Sequence, residues 1–229
     1  MTASYSLNYN LLNFIFFMNY IIENQLFPCI DFIKILVKAK HIRIDAYEHF
    51  QKMSFRNRFI IAGANGLVNL TIPVAGGREQ RTLITDIEIN ANTNWAIKHW
   101  RSISSAYSKA PFFDFYADEI KTMLFNEDKN LFNFNCFIIN KISKLLTINC
   151  HIDFTDEYIM PNLALAKGEI DYRNTLLPRN FQVNRENWRP KYSQVFEERL
   201  GFQPNLSILD LLFCEGPNSI NLLEKSVFL

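Results

Sequence analysis

Residues 41–58, HIRIDAYEHFQKMSFRNR, gather the side chains that chemistry near neutral pH needs. In the first half Ile42, Ile44 and Ala46 fall on one side of an extended chain, while His41, Arg43, Asp45, Tyr47 and His49 fall on the other. A strand patterned this way buries one face and presents the second. The following residues crowd Glu48, His49, Gln51, Lys52, Ser54, Arg56, Asn57 and Arg58 together, a density of hydrogen-bonding groups beyond what folding requires. The His49 imidazole can act as a general base, the Asp45 carboxylate can orient it, and Lys52, Arg56 and Arg58 can meet a developing oxyanion or a phosphate. Gln51 and Asn57 add substrate-binding amides. No Ser-His-Asp set with a nucleophile elbow accompanies them, which argues against a covalent enzyme intermediate.

A second imidazole, His99, lies in a predicted helix over residues 95–110, after the capping candidates Asn92, Thr93 and Asn94 and ended by Pro111. Trp95, Ala96, His99, Trp100, Ile103, Ala106 and Tyr107 share one broad face of that helix, and Lys98, Arg101 and Lys109 share the other. A histidine inside an aromatic face is read either as a core residue satisfied by one hydrogen bond or as a catalyst, with Trp100 and Arg101 flanking the substrate.

These residues need a frame. Residues 20–25 read as a strand, Leu26-Phe27-Pro28 as a turn, and Ile30, Ile33, Leu36 and Val37 as the apolar face of a helix with Pro28 near its start. Followed by the strand of residues 41–49, they form a βαβ unit, which places Gln25 and residues 47–49 at the carboxyl edge where open α/β sheets bind ligands. Residues 59–74 read as a hairpin turning at Asn65-Gly66. Residues 76–81 form a polar loop with Arg78 and Arg81, a solvated turn or an anion-binding flap. Residues 83–89 read as one more strand, whose Asp86 and Glu88 line a solvent edge in preference to holding a hard metal ion. Helices over 112–125 and 131–146 and a strand over 148–154 follow, His151 having no obvious partner. Residues 155–203 lose all periodicity and read as a long surface excursion. Ser207 caps a helix at 208–213 that Gly216 closes, and Asn218 starts a last one. The fold class is therefore α/β: a small mixed sheet with an N-terminal βαβ unit and hairpin, covered by a bundle of three to five helices, with a loop-rich C-terminal part.

Composition narrows the function. The 229 residues include 48% hydrophobic residues, enough for a sizeable core, with 21 phenylalanines and only 7 glycines. Glycine scarcity and the lack of GxGxxG or GxxxxGK[ST] argue against a glycine-cradled cofactor, and none is expected. A net charge of +1 makes nucleic acid an unexpected partner. Cys29, Cys136, Cys150 and Cys214 lie far apart without metal-ligand spacing and read as reduced cytoplasmic thiols. Residues 11–22 are apolar but shorter than the roughly 20 residues that span a bilayer. They carry Asn13 and Asn19 and follow no positive leader, so no stable membrane insertion is expected. Met18 is an alternative start, which makes residues 1–17 an upstream extension and 18–229 a single domain.

In combination, the Pro28 turn, FQKMSFRNR, VNLTIP, NWAIKHWRSISSAYSKAPFF and PNLSILDLLFCEGPN, in order from Gln25 to Leu223, resemble the WbqC-like family. Where many members show Asp-Asp-x-Gln at the end of the second strand this chain has Ile44-Asp45-Ala46-Tyr47, so Asp45 carries over. Arg56-Asn57-Arg58 and Lys98-His99-Trp100 match as they stand, which favours a role for His99 beyond packing. The usual Gln-Pro-x-Tyr-x-Pro is reduced to Gln25-Leu26-Phe27-Pro28. The resemblance implies a place in bacterial O-antigen or surface-polysaccharide synthesis and an acyl or aminoacyl transfer, glycine included, to a sugar. The expected site comprises Asp45, His49 and His99 as catalytic groups. Gln25, Gln51, Lys52, Arg56, Asn57, Arg58, Trp100 and Arg101 contact a small-molecule substrate, a nucleotide sugar or an acyl or aminoacyl donor. The alternatives are a glycosyltransferase, for which only Asp86-Ile87-Glu88 and Glu169-Ile170-Asp171 approach the Asp-x-Asp pattern, and a non-catalytic scaffold of glycan assembly.

Overall fold

The computed structural model describes residues 19–75, 81–90, 93–166, 168–183 and 189–226. The upstream extension and the Arg78 loop lie outside them. Strand β1 (Asn19–Ile22) leads through the Pro28 turn into helix α1 (Ile30–Lys38) and strand β2 (His41–Ile44), the expected βαβ unit. The antiparallel hairpin β3 (Arg58–Gly63) and β4 (Gly66–Thr71) turns at Ala64-Asn65, with Gly66 at φ +120°, a conformation that a side chain resists. A short pair, β5 (Val74–Ala75) and β6 (Glu88–Ile89), follows. Residues 83–89 therefore depart from a single strand. Ile84 and Ile87 are both fully buried, a spacing of three that suits the 3₁₀ turn Ile84–Asp86 and not an extended chain.

Helices α2 (Trp95–Tyr107), α3 (Phe113–Leu124) and α4 (Leu131–Leu145) lie where the periodicity puts them. Then come β7 (His151–Phe154), α5 (Pro161–Ala166), β8 (Glu169–Asp171), α6 (Glu197–Leu200), α7 (Ile208–Glu215) and α8 (Ser219–Lys225). Ser207 caps α7 by accepting from the Leu209 N–H, and Gly216 leaves it at φ +54°.

The main sheet is parallel throughout, in the order β7-β2-β1-β8, and antiparallel pairing is confined to the two small sheets. The two-residue period of a strand divides its faces. Tyr20, Ile22, Ile42 and Ile44 join the main core with α1, the hairpin and the helices, while Ile21 on the other face forms a small separate cluster with Ile159 and Ala164. The chain is thus the mixed α/β structure that the pattern predicts. A second expectation fails: residues 155–203, where described, are not wholly a surface excursion. They supply β8, and their Arg189 lies over α1, paired with the fully buried Asp31. Leu176, Phe181 and Tyr192 tie this segment into the core, but much of the rest is held by ion pairs and amide hydrogen bonds, which leave no hydrophobic period to read.

Candidate active site

Four parallel strands end on one edge, so the residue after each last rung is delivered to the same place. Glu23, Asn24 and Gln25 follow β1, Asp45 follows β2, Thr155 follows β7, and Arg173 and Asn174 follow β8. Asp45 is fully buried. Its Oδ1 accepts from the Tyr47 N–H at 2.9 Å and from Thr155 Oγ1 at 3.1 Å, and its Oδ2 pairs with Arg173. Arg173 also donates to Asp171 at 2.9 Å through Nε and to the Ile159 carbonyl, and the Tyr158 ring lies over its guanidinium at 5.1 Å. Burial works against its charge, but Asp171 and Asp45 more than offset that and push its pKa up.

Beside this lies a second pair. Arg56, with no exposed surface, donates through Nε to Glu48 Oε1 at 2.6 Å, closes a fork on Oε2, and reaches Asn174 Oδ1 at 3.1 Å. Asn174, in the left-handed region at φ 61°, gives its N–H to Glu23 Oε2 at 2.8 Å, and Gln25 donates to Glu23 Oε1 at 3.0 Å. Carboxylates outnumber guanidiniums in this cluster. Burial above all pushes the Glu48 carboxyl up to about 7; Arg56 pulls it down, while Glu23 and Asp45 add to the rise. Glu48 lines a cleft of about 470 Å³ with His49, Phe50, Gln51, Lys52, Tyr158, Pro161, Asp171, Arg173 and Asn174.

Of the residues that sequence reasoning singled out, His49, Gln51 and Lys52 are exposed on this cleft, and Asp45, Arg56 and Gln25 form its buried support. Asp45 orients Arg173 and not an imidazole. The others lie elsewhere. Asn57 donates to the Ile72 carbonyl at 2.9 Å and ties the loop to the hairpin, while Arg58 sits half-buried in β3, where burial lowers its pKa. His99 does not reach the cleft. It lies edge-on to Phe59 and Trp95 with ring centroids 5.8 and 5.4 Å away, and burial lowers its pKa to about 4, against a hydrogen bond with the Thr71 backbone. A base poised near neutrality, the role expected of it, is not what that surrounding makes. Trp100 stacks on Phe113 with Lys121 over its ring. Arg101 borders a separate, more open depression of about 490 Å³ against the hairpin turn.

Sequence reasoning passed over Glu23, Tyr158, Arg173 and Asn174, and counted Glu48 only as part of a polar run. The one available signal was Glu169-Ile170-Asp171, read as a weak Asp-x-Asp. Both carboxylates are taken by guanidiniums instead, Glu169 by Arg43 at 2.6 and 2.8 Å and Asp171 by Arg173.

Among the described residues no helix is long and apolar enough to cross a membrane. No solved structure matches the chain. It is 28% identical to Rv1507c of Mycobacterium tuberculosis, an uncharacterized protein, over 192 residues that cover 73% of this chain and 80% of that one. The profile of the WbqC-like protein family matches residues 24–172, which begin just past β1, take in β2, the Glu48–Arg56 loop and β8, and leave out Glu23, Arg173, Asn174 and the PNLSILDLLFCEGPN tail. With well over half of its length matched, the chain belongs to the WbqC-like protein family.

Proposed function

We propose that the protein is a cytoplasmic group-transfer enzyme of bacterial surface-polysaccharide synthesis that moves an acyl or aminoacyl group onto an amino or hydroxyl group of a sugar. The observation that carries this reading is Glu48, a buried carboxyl titrating near 7 at the wall of a cleft whose rim offers His49 and Lys52. In this reading Glu48 takes the proton of the acceptor hydroxyl or amine as its oxygen or nitrogen attacks the donor carbonyl. Lys52 and the Arg173 guanidinium lie on the side of the negative charge that develops on the carbonyl oxygen, and when the intermediate collapses the departing group takes the proton back from Glu48. Asp45 and Asp171 hold Arg173 in place, and Arg56 holds Glu48. The link to glycans rests on family resemblance alone.

The reading is tested by calorimetric titration of the purified protein with nucleotide sugars and with acyl and aminoacyl thioesters, followed by assay of the binding pairs for transfer. Saturable binding of a sugar and a donor, with product formed by wild-type protein and lost in Glu48→Gln, supports it. Binding of neither class sinks it.

A further inference from the structure

The sheet face turned away from the main core carries another polar cluster, at the amino edge and outside the cleft. His41 opens β2, His151 opens β7, and the two are register partners on neighbouring parallel strands. Their rings lie 5.3 Å apart, tilted by 30°. Asp153, two residues further along β7, returns to the same face. Its Oδ2 lies 3.0 Å from His41 Nε2 and 3.1 Å from His151 Nε2. One donor atom from each of the three side chains falls within 4.8 Å of the other two, and the side chains are 28%, 71% and 50% exposed for His41, His151 and Asp153.

We propose that His41, His151 and Asp153 form a binding site for a divalent transition-metal ion of the zinc or cobalt type. Two imidazole nitrogens and a carboxylate oxygen are the donors such borderline ions prefer, whereas magnesium and calcium favour oxygen cages. Ligand bonds of about 2.0–2.2 Å at tetrahedral angles separate donor atoms by roughly 3.3 Å, close to the spacing of the carboxylate from each imidazole. Only a small rotation of exposed side chains is needed to close the set, and the open side leaves room for water as the remaining ligand. The register is what builds the site: a one-residue slip of β7 against β2 would send His151 and Asp153 to the opposite face. β7 is an edge strand of the sheet, so an ion held here clips that edge to β2 and stabilises the fold by mass action.

The experiment titrates chelator-stripped full-length protein with Zn²⁺ by calorimetry and with Co²⁺ by visible absorption, alongside thermal melting. One ion per chain is expected, with a zinc-dependent rise in melting temperature. His151→Ala and Asp153→Asn should each weaken binding by more than about tenfold, since even outer-shell partners of metal ligands cost that much. His49→Ala serves as the histidine control and should bind as wild type does. Because His151 is largely exposed, its removal spares the core, which the melting curve of the metal-free variant verifies. No saturable binding, or binding that survives His151→Ala and so belongs to cysteines or other histidines, would overturn the proposal.

Discussion

Two buried ionic clusters hold this molecule, and they are finished differently. On helix α7, Asp210 accepts from Tyr107 at 2.8 Å, Tyr192 at 2.6 Å and Gln194 at 2.8 Å, and Arg189 spends its guanidinium on Asp31 and the carbonyls of Phe181 and Val183. Every oxygen there meets a protein donor. At the carboxyl edge of the sheet the cluster of Glu23, Asp45, Glu48, Arg56, Asp171 and Arg173 is just as buried at its centre, yet one of its carboxylates, Glu48, faces a cleft. A closed network fixes geometry. A network that opens on a cleft, with burial raising the pKa of the carboxyl there, leaves that carboxyl within reach of a ligand.

Substitutions in the two regions should therefore part company. Arg189→Ala takes the guanidinium away from the fully buried Asp31, and should cost about 3–5 kcal/mol in urea unfolding. Glu48→Gln keeps a hydrogen-bond acceptor for Arg56 and should leave the protein folded, while transfer activity falls about a hundredfold or more, equivalent to about 2.7 kcal/mol of barrier. If both substitutions simply unfold the chain, the distinction is lost. Tyr192→Phe removes one of the donors to Asp210 and should cost about 1–2 kcal/mol with no effect on ligand binding at the cleft.

A smaller effect concerns pH. The folded-state pKa of His99 is lowered from 6.5 to about 4, so the fold favours the neutral ring. Its contribution is complete above pH 6.5 and is lost as pH falls toward 4; at pH 5 the loss should be about 1–2 kcal/mol. Unfolding of wild type and His99→Leu at pH 7.5 and pH 5 checks this: the variant should lose less on acidification. An equal loss would mean that His99 is not the group responsible.

The parts of the fold that apolar periodicity governs were legible in the sequence. The βαβ unit, the hairpin and helices α1 to α4 follow from Ile42 and Ile44, Gly66, and the stripe through Ile103, Ala106 and Tyr107. The site was half legible. Residues 45–52 announced themselves by density, and the carboxyl edge by topology. What stayed hidden was the partner strand. Asp171, Arg173 and Asn174 come from a segment held by charge, and a lone arginine in an aperiodic run looks the same whether it meets solvent or a buried Asp45. His99 erred the other way, because an imidazole on an aromatic face reads alike as catalyst or core until its neighbours, Phe59 and Trp95, are known.

The central claim is that the carboxyl-edge cleft, and not the depression beside the hairpin, receives the substrate. The direct measurement is calorimetric titration of UDP-N-acetylglucosamine and an aminoacyl thioester into wild type, Lys52→Glu and Arg101→Glu. Saturable binding is expected, abolished by Lys52→Glu and left intact by Arg101→Glu. Binding lost in Arg101→Glu and kept in Lys52→Glu would contradict the claim.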